Sequence, residues 1–228
     1  MLAERARLLA AFPARHAGLL PSGQGLFEAT CTLLADWGLS HAGSSRSPIE
    51  LGAAVEPDLL WLTPDQSGEY ILCGGVLCFP TSWALEDKIG RPMTFIHGPV
   101  PGLNAALGGQ IGRFLAGMQP ATAYFRHNWG LAATDALNLH PAVSPPKPAL
   151  PLDPDRLWLR VEHQALLALP GGGVLFAIRI ELMEMTAVQN HATAACGLSR
   201  ALRSMPEAVA AYKGVAEIRF ELADWLVA

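Results

Sequence analysis

Three segments in the middle of this 228-residue chain alternate between two kinds of side chain, and they constrain the fold more than any other feature. They cover residues 122–130, 157–164 and 174–181. A period of two predicts β-strands, because successive side chains of a strand point to opposite faces of a sheet. The Pro-Gly-Gly-Gly sequence at 170–173 is typical of a turn, so the last two strands are predicted to form an antiparallel hairpin.

Helical patterns flank these strands at both ends of the chain, where apolar residues recur at steps of three and four. The segments predicted to be helical are 2–12, 24–38, 82–89, 104–118, 192–204, 206–212 and 216–227. Short apolar runs at 59–62, 70–73 and 76–79 are predicted to be further strands. This order predicts an α+β fold, with one antiparallel sheet, helices from both chain ends and all helices on one side. We expect a single domain over 1–228, with a helical extension at about 1–50.

The composition excludes several classes of protein. Hydrophobic residues make up 51% of the chain and charged residues only 16%, which is incompatible with a disordered chain. The net charge of -4 gives no electrostatic footprint for nucleic acid. Every apolar run is interrupted before the ~20 residues that a membrane span needs, so no membrane partner is expected. The four cysteines are scattered, which predicts reduced core residues of a cytoplasmic protein.

Polar side chains stand at alternating positions on all three predicted strands: Arg126, Asn128, Arg160, Glu162, Arg179 and Glu181. One interpretation is a solvent-facing side of an antiparallel sheet with cross-strand ion pairs. The other is a polar wall of a pocket for a small ligand, supported by the aromatic residues Tyr124, Trp129 and Trp158 nearby. The residues themselves leave both interpretations open.

One of the seven histidines has unusual surroundings. His97 precedes Gly-Pro-Val-Pro-Gly, a sequence that excludes regular structure and that can hold one imidazole in a fixed direction. A single axial metal ligand needs such a fixed direction. His127 and His163 fall on apolar strand faces and are predicted to pack in the core. No H-E-x-x-H pair, P-loop or G-x-S-x-G motif is present.

Several stretches together resemble one known family, the haem-dependent oxidative N-demethylases, the haem-binding PAS-like subunits of dimethylamine monooxygenase. The similarity runs over residues 55–215 in the order of that family. The stretches that carry it are 74–83 (GGVLCFPTSW), 88–92 (KIGRP), 96–102 (IHGPVPG), 126–129 (RHNW), 159–164 (LRVEHQ), 176–179 (FAIR) and 211–214 (AYKG).

The resemblance implies a PAS-like antiparallel sheet that holds haem b, with its iron, against helices. It also implies a partner reductase that carries FMN and a 2Fe-2S cluster, is fed by NADPH and delivers electrons for O2 activation. The implied reaction is N-demethylation of a small secondary amine such as dimethylamine. Two alternatives are a PAS-like module that senses haem or another small molecule without catalysis, and a cofactor-free partner subunit.

The resemblance also implies roles for individual residues. His97 is the expected haem ligand, and Arg160, Arg179 and Trp129 are expected to bind the cofactor, the arginines through its propionates. Glu162, Arg126 and Asn128 are the expected catalytic residues, with the carboxylate of Glu162 holding the ammonium group of the substrate.

Overall fold

The computed structural model describes all 228 residues. Its strands are β1 (Ala17–Leu19), β2 (Asp58–Pro64), β3 (Tyr70–Val76), β4 (Ala123–Ala132), β5 (Trp158–Ala168) and β6 (Val174–Glu184). Its helices are α1 (Leu2–Ala11), α2 (Pro13–His16), α3 (Gln24–Asp36), α4 (Ser40–Gly43), α5 (Pro48–Ala54), α6 (Met93–Ile96), α7 (Leu103–Ala116), α8 (Met185–Gln189), α9 (Ala192–Ser204), α10 (Glu207–Tyr212) and α11 (Arg219–Trp225). None of these helices is long and apolar enough to cross a membrane.

The six strands form one antiparallel sheet in the order β1-β3-β2-β6-β5-β4. The predicted α+β class, with an antiparallel sheet and helices at both chain ends, is confirmed. The predicted hairpin joins β5 to β6 through Gly171 and Gly172, which both have positive φ. Only glycine adopts that conformation readily, which explains the glycine run in the turn.

The two faces of the sheet follow from the strand register. Asn128 pairs with Glu162, and Arg126 with Gln164, so we call the face that carries these four side chains the front face. Their neighbours Trp129 and His163 belong to the opposite, back face. Front and back faces are both partly covered by helices.

The expectation that all helices lie on one side of the sheet is wrong. On the back face, Trp61 of β2 packs edge-on against Phe27 of α3 and donates a hydrogen bond from Nε1 to Thr30 Oγ1 at 2.9 Å. The C-terminal helices cover another part of the back face, around Leu131 and Leu159. On the front face, α6 and α7 lie over the sheet. The sheet is therefore the middle layer of the fold, with a helical layer on each face.

Residues 1–50 pack into the main core, where Leu8, Leu9 and Leu26 are buried against the strands. They also contribute β1, which the helical pattern of this segment did not predict. Arg5 of α1 is fully buried and forms an ion pair with Asp58 of β2 at 2.6 Å. Through these contacts, the N-terminal segment packs against the sheet.

Two short elements differ from the prediction. Residues 76–79 are not a separate strand, because β3 ends at Val76 and the backbone N–H groups of Cys78 and Phe79 donate to the Asp58 carboxylate instead. Residues 82–89 form turns rather than a helix. Ser82 has a φ of 61°, outside the helical region, which explains why no helix begins there.

Some burial predictions also require correction. His127 is exposed, and the His163 side chain is 37% exposed, because the C-terminal helices leave their part of the back face uncovered. Cys31, Cys73 and Cys78 are buried free thiols, as predicted, whereas Cys196 is exposed. Alternation along a strand separates two faces, but it does not show which face is covered.

Candidate functional site

The front face borders a polar cavity of about 480 Å³ near the β4 edge of the sheet. Its sheet wall includes Asn128 of β4 and Arg160 and Glu162 of β5. The other walls include the segment around Thr81, the segment around His97, and Lys213, which follows α10. The volume lies within the range of ~300–1,000 Å³ that is typical of small-molecule sites.

A second, apolar cavity of about 510 Å³ lies between the front face and α7. Its sheet wall includes Leu62, Tyr124, Arg126, Leu166 and Phe176. The opposite wall comes from α6 and α7 through Met93, Ile111, Phe114 and Leu115. Arg126 is the only charged side chain among the residues that line it.

His97 lines both cavities, because it follows α6 directly at the point where the chain turns towards α7. Burial lowers the pKa of its imidazole, and the nearby positive charge of Arg126 lowers it further. The ring is therefore neutral near pH 7, the form that binds metals. Its backbone N–H donates to Met93 O, but no hydrogen bond engages either ring nitrogen. A ring nitrogen of His97 is thus free to act as a ligand.

Glu162 is the centre of the polar cavity's hydrogen-bond network. Glu162 is 9% exposed, and its carboxylate accepts hydrogen bonds from three neutral side chains. Thr81 donates to Oε1 at 2.6 Å, and Asn128 and Gln164 donate to Oε2 at 3.2 and 2.7 Å. These three residues, which we call the bridging residues, fix the direction of the carboxylate.

Each bridging residue also accepts a hydrogen bond from a different cation. Arg160 Nε donates to Thr81 Oγ1 at 3.0 Å, and Arg126 Nε donates to Gln164 Oε1 at 2.5 Å. Lys213 Nζ donates to Asn128 Oδ1 at 3.4 Å. It donates a second hydrogen bond to the carbonyl oxygen of Trp129, the next residue along β4. Three cations are therefore linked to one carboxylate, and each link passes through a neutral side chain.

Burial lowers the pKa of each of the three cations. Burial lowers the pKa of Arg160 to about 10, with Glu162 and Asp58 opposing that shift. Burial also lowers the pKa of Lys213 and of Arg126, again opposed by Glu162, although the cavity leaves part of the Arg126 side chain accessible. None of the three forms a direct ion pair with a carboxylate.

The structure brings five of the seven residues singled out from the sequence to these two cavities: His97, Arg126, Asn128, Arg160 and Glu162. A sixth, Trp129, projects to the back face but borders the polar cavity at the sheet edge, where Lys213 Nζ lies 5.1 Å from its ring centroid.

Arg179 is not part of this arrangement, and the expectation that it lines the same pocket is wrong. It stands opposite His163 in the β5–β6 register, which places it on the back face. Its side chain is 52% exposed and forms an ion pair with Glu56 at 3.1 Å. The cofactor role expected for Arg179 has no geometric basis.

Three residues of the network were not singled out from the sequence. Gln164 stands two positions after Glu162 on β5, so the strand alternation already places it on the same face. Lys213 lies in the 211–214 stretch, but its pattern gives no indication that it reaches the sheet edge. Thr81 lies in a loop, and no sequence periodicity could have identified it.

The metal-binding capacity of the chain is limited to isolated ligands, because nowhere do three or more His, Cys, Asp or Glu side chains converge on one point. A metal held at His97 must therefore bring most of its own ligands, as the iron of a macrocycle does.

Comparison with known families agrees with this geometry. The family described as haem-dependent oxidative N-demethylase, alpha subunit-like, matches residues 7–223. The match extends over nearly the whole sequence, including every residue of the network around Glu162. The chain belongs to the haem-dependent oxidative N-demethylase alpha-subunit-like family.

Proposed function

We propose that this chain is the haem-binding catalytic subunit of an oxidative N-demethylase that acts on a small amine such as dimethylamine. The observation that carries the proposal is the position of His97. Its neutral, hydrogen-bond-free imidazole lies where an apolar cavity meets a polar cavity that contains a buried carboxylate. This combination provides an iron ligand, a macrocycle pocket and a polar substrate pocket side by side.

The residues of the front face fit haem b in three respects. Haem needs apolar walls for its ring, and the second cavity offers Leu62, Ile111, Leu166 and Phe176 among others. Its iron needs a protein ligand, which His97 would supply. Its propionates need cations, and Arg126 stands in the wall of the apolar cavity with N–H groups not used by Gln164.

We do not assign Arg160 to direct contact with the cofactor, although the resemblance implied that role. Its Nη2 donates to the carbonyl oxygens of Phe79 and Leu137, both at 2.8 Å, and its Nε donates to Thr81. The guanidinium is therefore largely occupied by the protein, so we assign it to holding the wall of the polar cavity. We assign propionate binding first to Arg126.

The proposed reaction needs a co-reactant and an electron donor. Haem, when bound, supplies the O2 chemistry. For dimethylamine, one O2, two electrons and two protons are consumed, a methyl C–H bond and then the C–N bond break, and methylamine, formaldehyde and water are released. We propose that a partner reductase with FMN and a 2Fe-2S cluster supplies the electrons, because this chain has no cluster of three or more His, Cys, Asp or Glu side chains that could hold iron–sulfur.

The contribution of the polar cavity is binding and orientation. The carboxylate of Glu162 would accept a hydrogen bond from the ammonium group of the substrate, and the bridging residues keep its two oxygens in place. Asn128 and Arg126 maintain this arrangement from β4. A PAS-like arrangement of the sheet and a cytoplasmic location also belong to the proposal.

The experiment that tests the proposal is a turnover assay of the haem-loaded chain with a flavin and iron–sulfur reductase, NADPH and dimethylamine. We expect formaldehyde release that requires all components and falls at least ~100-fold in Glu162→Gln, the range by which a single transition-state interaction changes a rate. Haem binding without formaldehyde release from any small methylamine would instead support a sensor module.

A further inference from the structure

We infer that the polar cavity binds a carboxylate as well as an amine, and that the substrate class is the N-methylated amino acids, with Lys213 as the carboxylate-binding residue. This inference rests on the proposed function and makes its substrate more specific. It comes from the excess of positive charge around Glu162 and from the unused donors of the cations.

The first step is a charge count. Arg126 lines the apolar cavity rather than the polar one and is assigned to the propionates, so the polar cavity contains the two positive charges of Arg160 and Lys213 and the one negative charge of Glu162. One positive charge therefore remains. Asp58 also lies near Arg160, but its charge is matched by Arg5. Among the other residues that line the polar cavity, Asp87 and Lys88 offset each other.

The second step concerns the free-energy cost of burying this excess positive charge. Arg160 is 1% exposed and Lys213 is half-buried, and their partners are neutral oxygens. A buried charge is costly unless an opposite charge or sufficient hydrogen bonds compensate for it. Arg160 Nη1 is buried without any hydrogen-bond partner. A bound anion offsets this cost, whereas a simple ammonium ion adds to it.

The third step identifies Lys213 as the anion ligand. Its ammonium has three donors, and the protein uses two of them, on Trp129 O at 2.5 Å and on Asn128 Oδ1 at 3.4 Å. Lys213 lines the polar cavity, and Gly214, with a φ of 67°, turns the chain directly after it. The buried neighbours Ala210 and Val215 anchor that turn in the C-terminal core.

The fourth step is the spacing between the two charges. Asn128 stands between Lys213 and Glu162, accepting from one through Oδ1 and donating to the other through Nδ2. The ammonium of Lys213 and the carboxylate of Glu162 are therefore separated by one amide group. An amino acid with its amine and its carboxylate on the same carbon presents complementary charges at a similar separation.

A carboxylate in this region could come from two sources, an amino-acid substrate or a haem propionate. We assign the propionates to Arg126, which lines the apolar cavity, and the substrate carboxylate to Lys213, which lines only the polar one. The two sources predict different effects of the same substitution, so one set of variants separates them.

The test compares N-methylglycine with dimethylamine as ligands of the haem-loaded protein, by calorimetry and by the change in the haem absorption spectrum. We expect N-methylglycine to bind about tenfold more tightly, the effect of one charged hydrogen bond. Lys213→Gln should remove about that tenfold preference for N-methylglycine over dimethylamine. Lys147→Gln, at an exposed lysine that does not line the cavity, is the matched control and should change neither affinity.

Two results would overturn the inference. One is an N-methylglycine affinity that does not depend on Lys213. The other is a Lys213→Gln variant that binds haem more weakly but binds haem dimethyl ester as the wild type does, since that pattern assigns Lys213 to a propionate. A protein that binds no haem contradicts the proposed function instead, and calorimetry with N-methylglycine on the haem-free chain then still tests Lys213.

Discussion

Arg160 and Glu162 lie two residues apart on the front face of β5, and their charges are joined through the hydroxyl of Thr81 rather than by direct contact. Thr81 accepts from Arg160 Nε at 3.0 Å and donates to Glu162 Oε1 at 2.6 Å. Asn128 and Gln164 link Lys213 and Arg126 to the same carboxylate in the same manner. The site therefore keeps its cations separate from its carboxylate, and none of them neutralises Glu162 by direct contact.

Replacing Thr81 by valine should destabilise the protein, because the change keeps the shape of the side chain and removes the bridging hydroxyl. Arg160 Nε and Glu162 Oε1 then each lose a hydrogen-bond partner in a largely buried region, which typically costs about 1–3 kcal/mol. Chemical denaturation measures the change. Thr81→Ser should restore most of the stability, and a valine variant as stable as the wild type would contradict the bridging role.

The ion pair between Arg5 and Asp58 is predicted to be essential for folding. Both side chains are at most 1% exposed, and Asp58 also accepts from the backbone of Cys78 and Phe79. Asp58→Asn leaves the Arg5 charge buried without compensation, which typically costs about 3–5 kcal/mol.

Glu4→Gln is the matched control for that substitution, because it breaks the neighbouring Glu4–Arg7 pair, which is exposed. Its unfolding free energy should equal that of the wild type within error. Equal effects of Asp58→Asn and Glu4→Gln on denaturation would show that the buried pair has no special role.

Stability should fall as the pH falls below about 6.5, and His16 should account for part of the loss. Burial lowers the pKa of His16 in the folded state below the ordinary 6.5, while its Nδ1 lies 2.8 Å from Leu77 O. The unfolded chain therefore binds a proton that the folded chain does not, and stability decreases at up to about 1.4 kcal/mol per pH unit.

Denaturation between pH 5 and pH 8 checks this dependence. His16→Asn, which keeps a donor near Leu77 O, should have a smaller slope than the wild type, whereas His41→Asn at an exposed position should have the same slope. His97 contributes in the same direction, because burial also lowers its pKa. An unchanged slope in His16→Asn would rule out His16 as a source.

The two faces of the sheet predict opposite outcomes for two arginines that looked equivalent in the sequence. Arg126→Gln should weaken haem binding by about tenfold or more, the effect of one charge-assisted hydrogen bond. Arg179→Gln should leave haem binding unchanged, because Arg179 lies on the back face and pairs with Glu56. Absorbance titrations with haem measure both, and a larger effect of Arg179→Gln would contradict the assignment of the faces.

The difference between these arginines also shows how far the sequence predicts this site. Alternation along β4 and β5 correctly predicts that Arg126 and Asn128 share a face, and that Arg160 and Glu162 do. It does not fix the phase of one strand against another. That phase depends on the β5–β6 register, which pairs His163 with Arg179 and so assigns Arg179 to the back face.

Other parts of the site depend on tertiary structure alone. Lys213 reaches the front face only because the C-terminal helices bring the end of α10 to the β4 edge. Thr81 reaches it only because the chain that follows β3 passes the Asp58 carboxylate and hydrogen-bonds to it. The exposure of His127 likewise depends on where the helices of the back face end. Loops and helix placement carry no periodic signal, so a single sequence gives no direct indication of such contacts.

The central claim is that haem binds on the front face with His97 as its ligand, and a haem titration of the purified chain tests it most directly. We predict saturable binding of one haem per chain with a Soret band that His97→Ala abolishes or shifts, while His41→Ala leaves it unchanged. A chain that remains colourless after titration, or a Soret band that is identical in His97→Ala, would contradict the account.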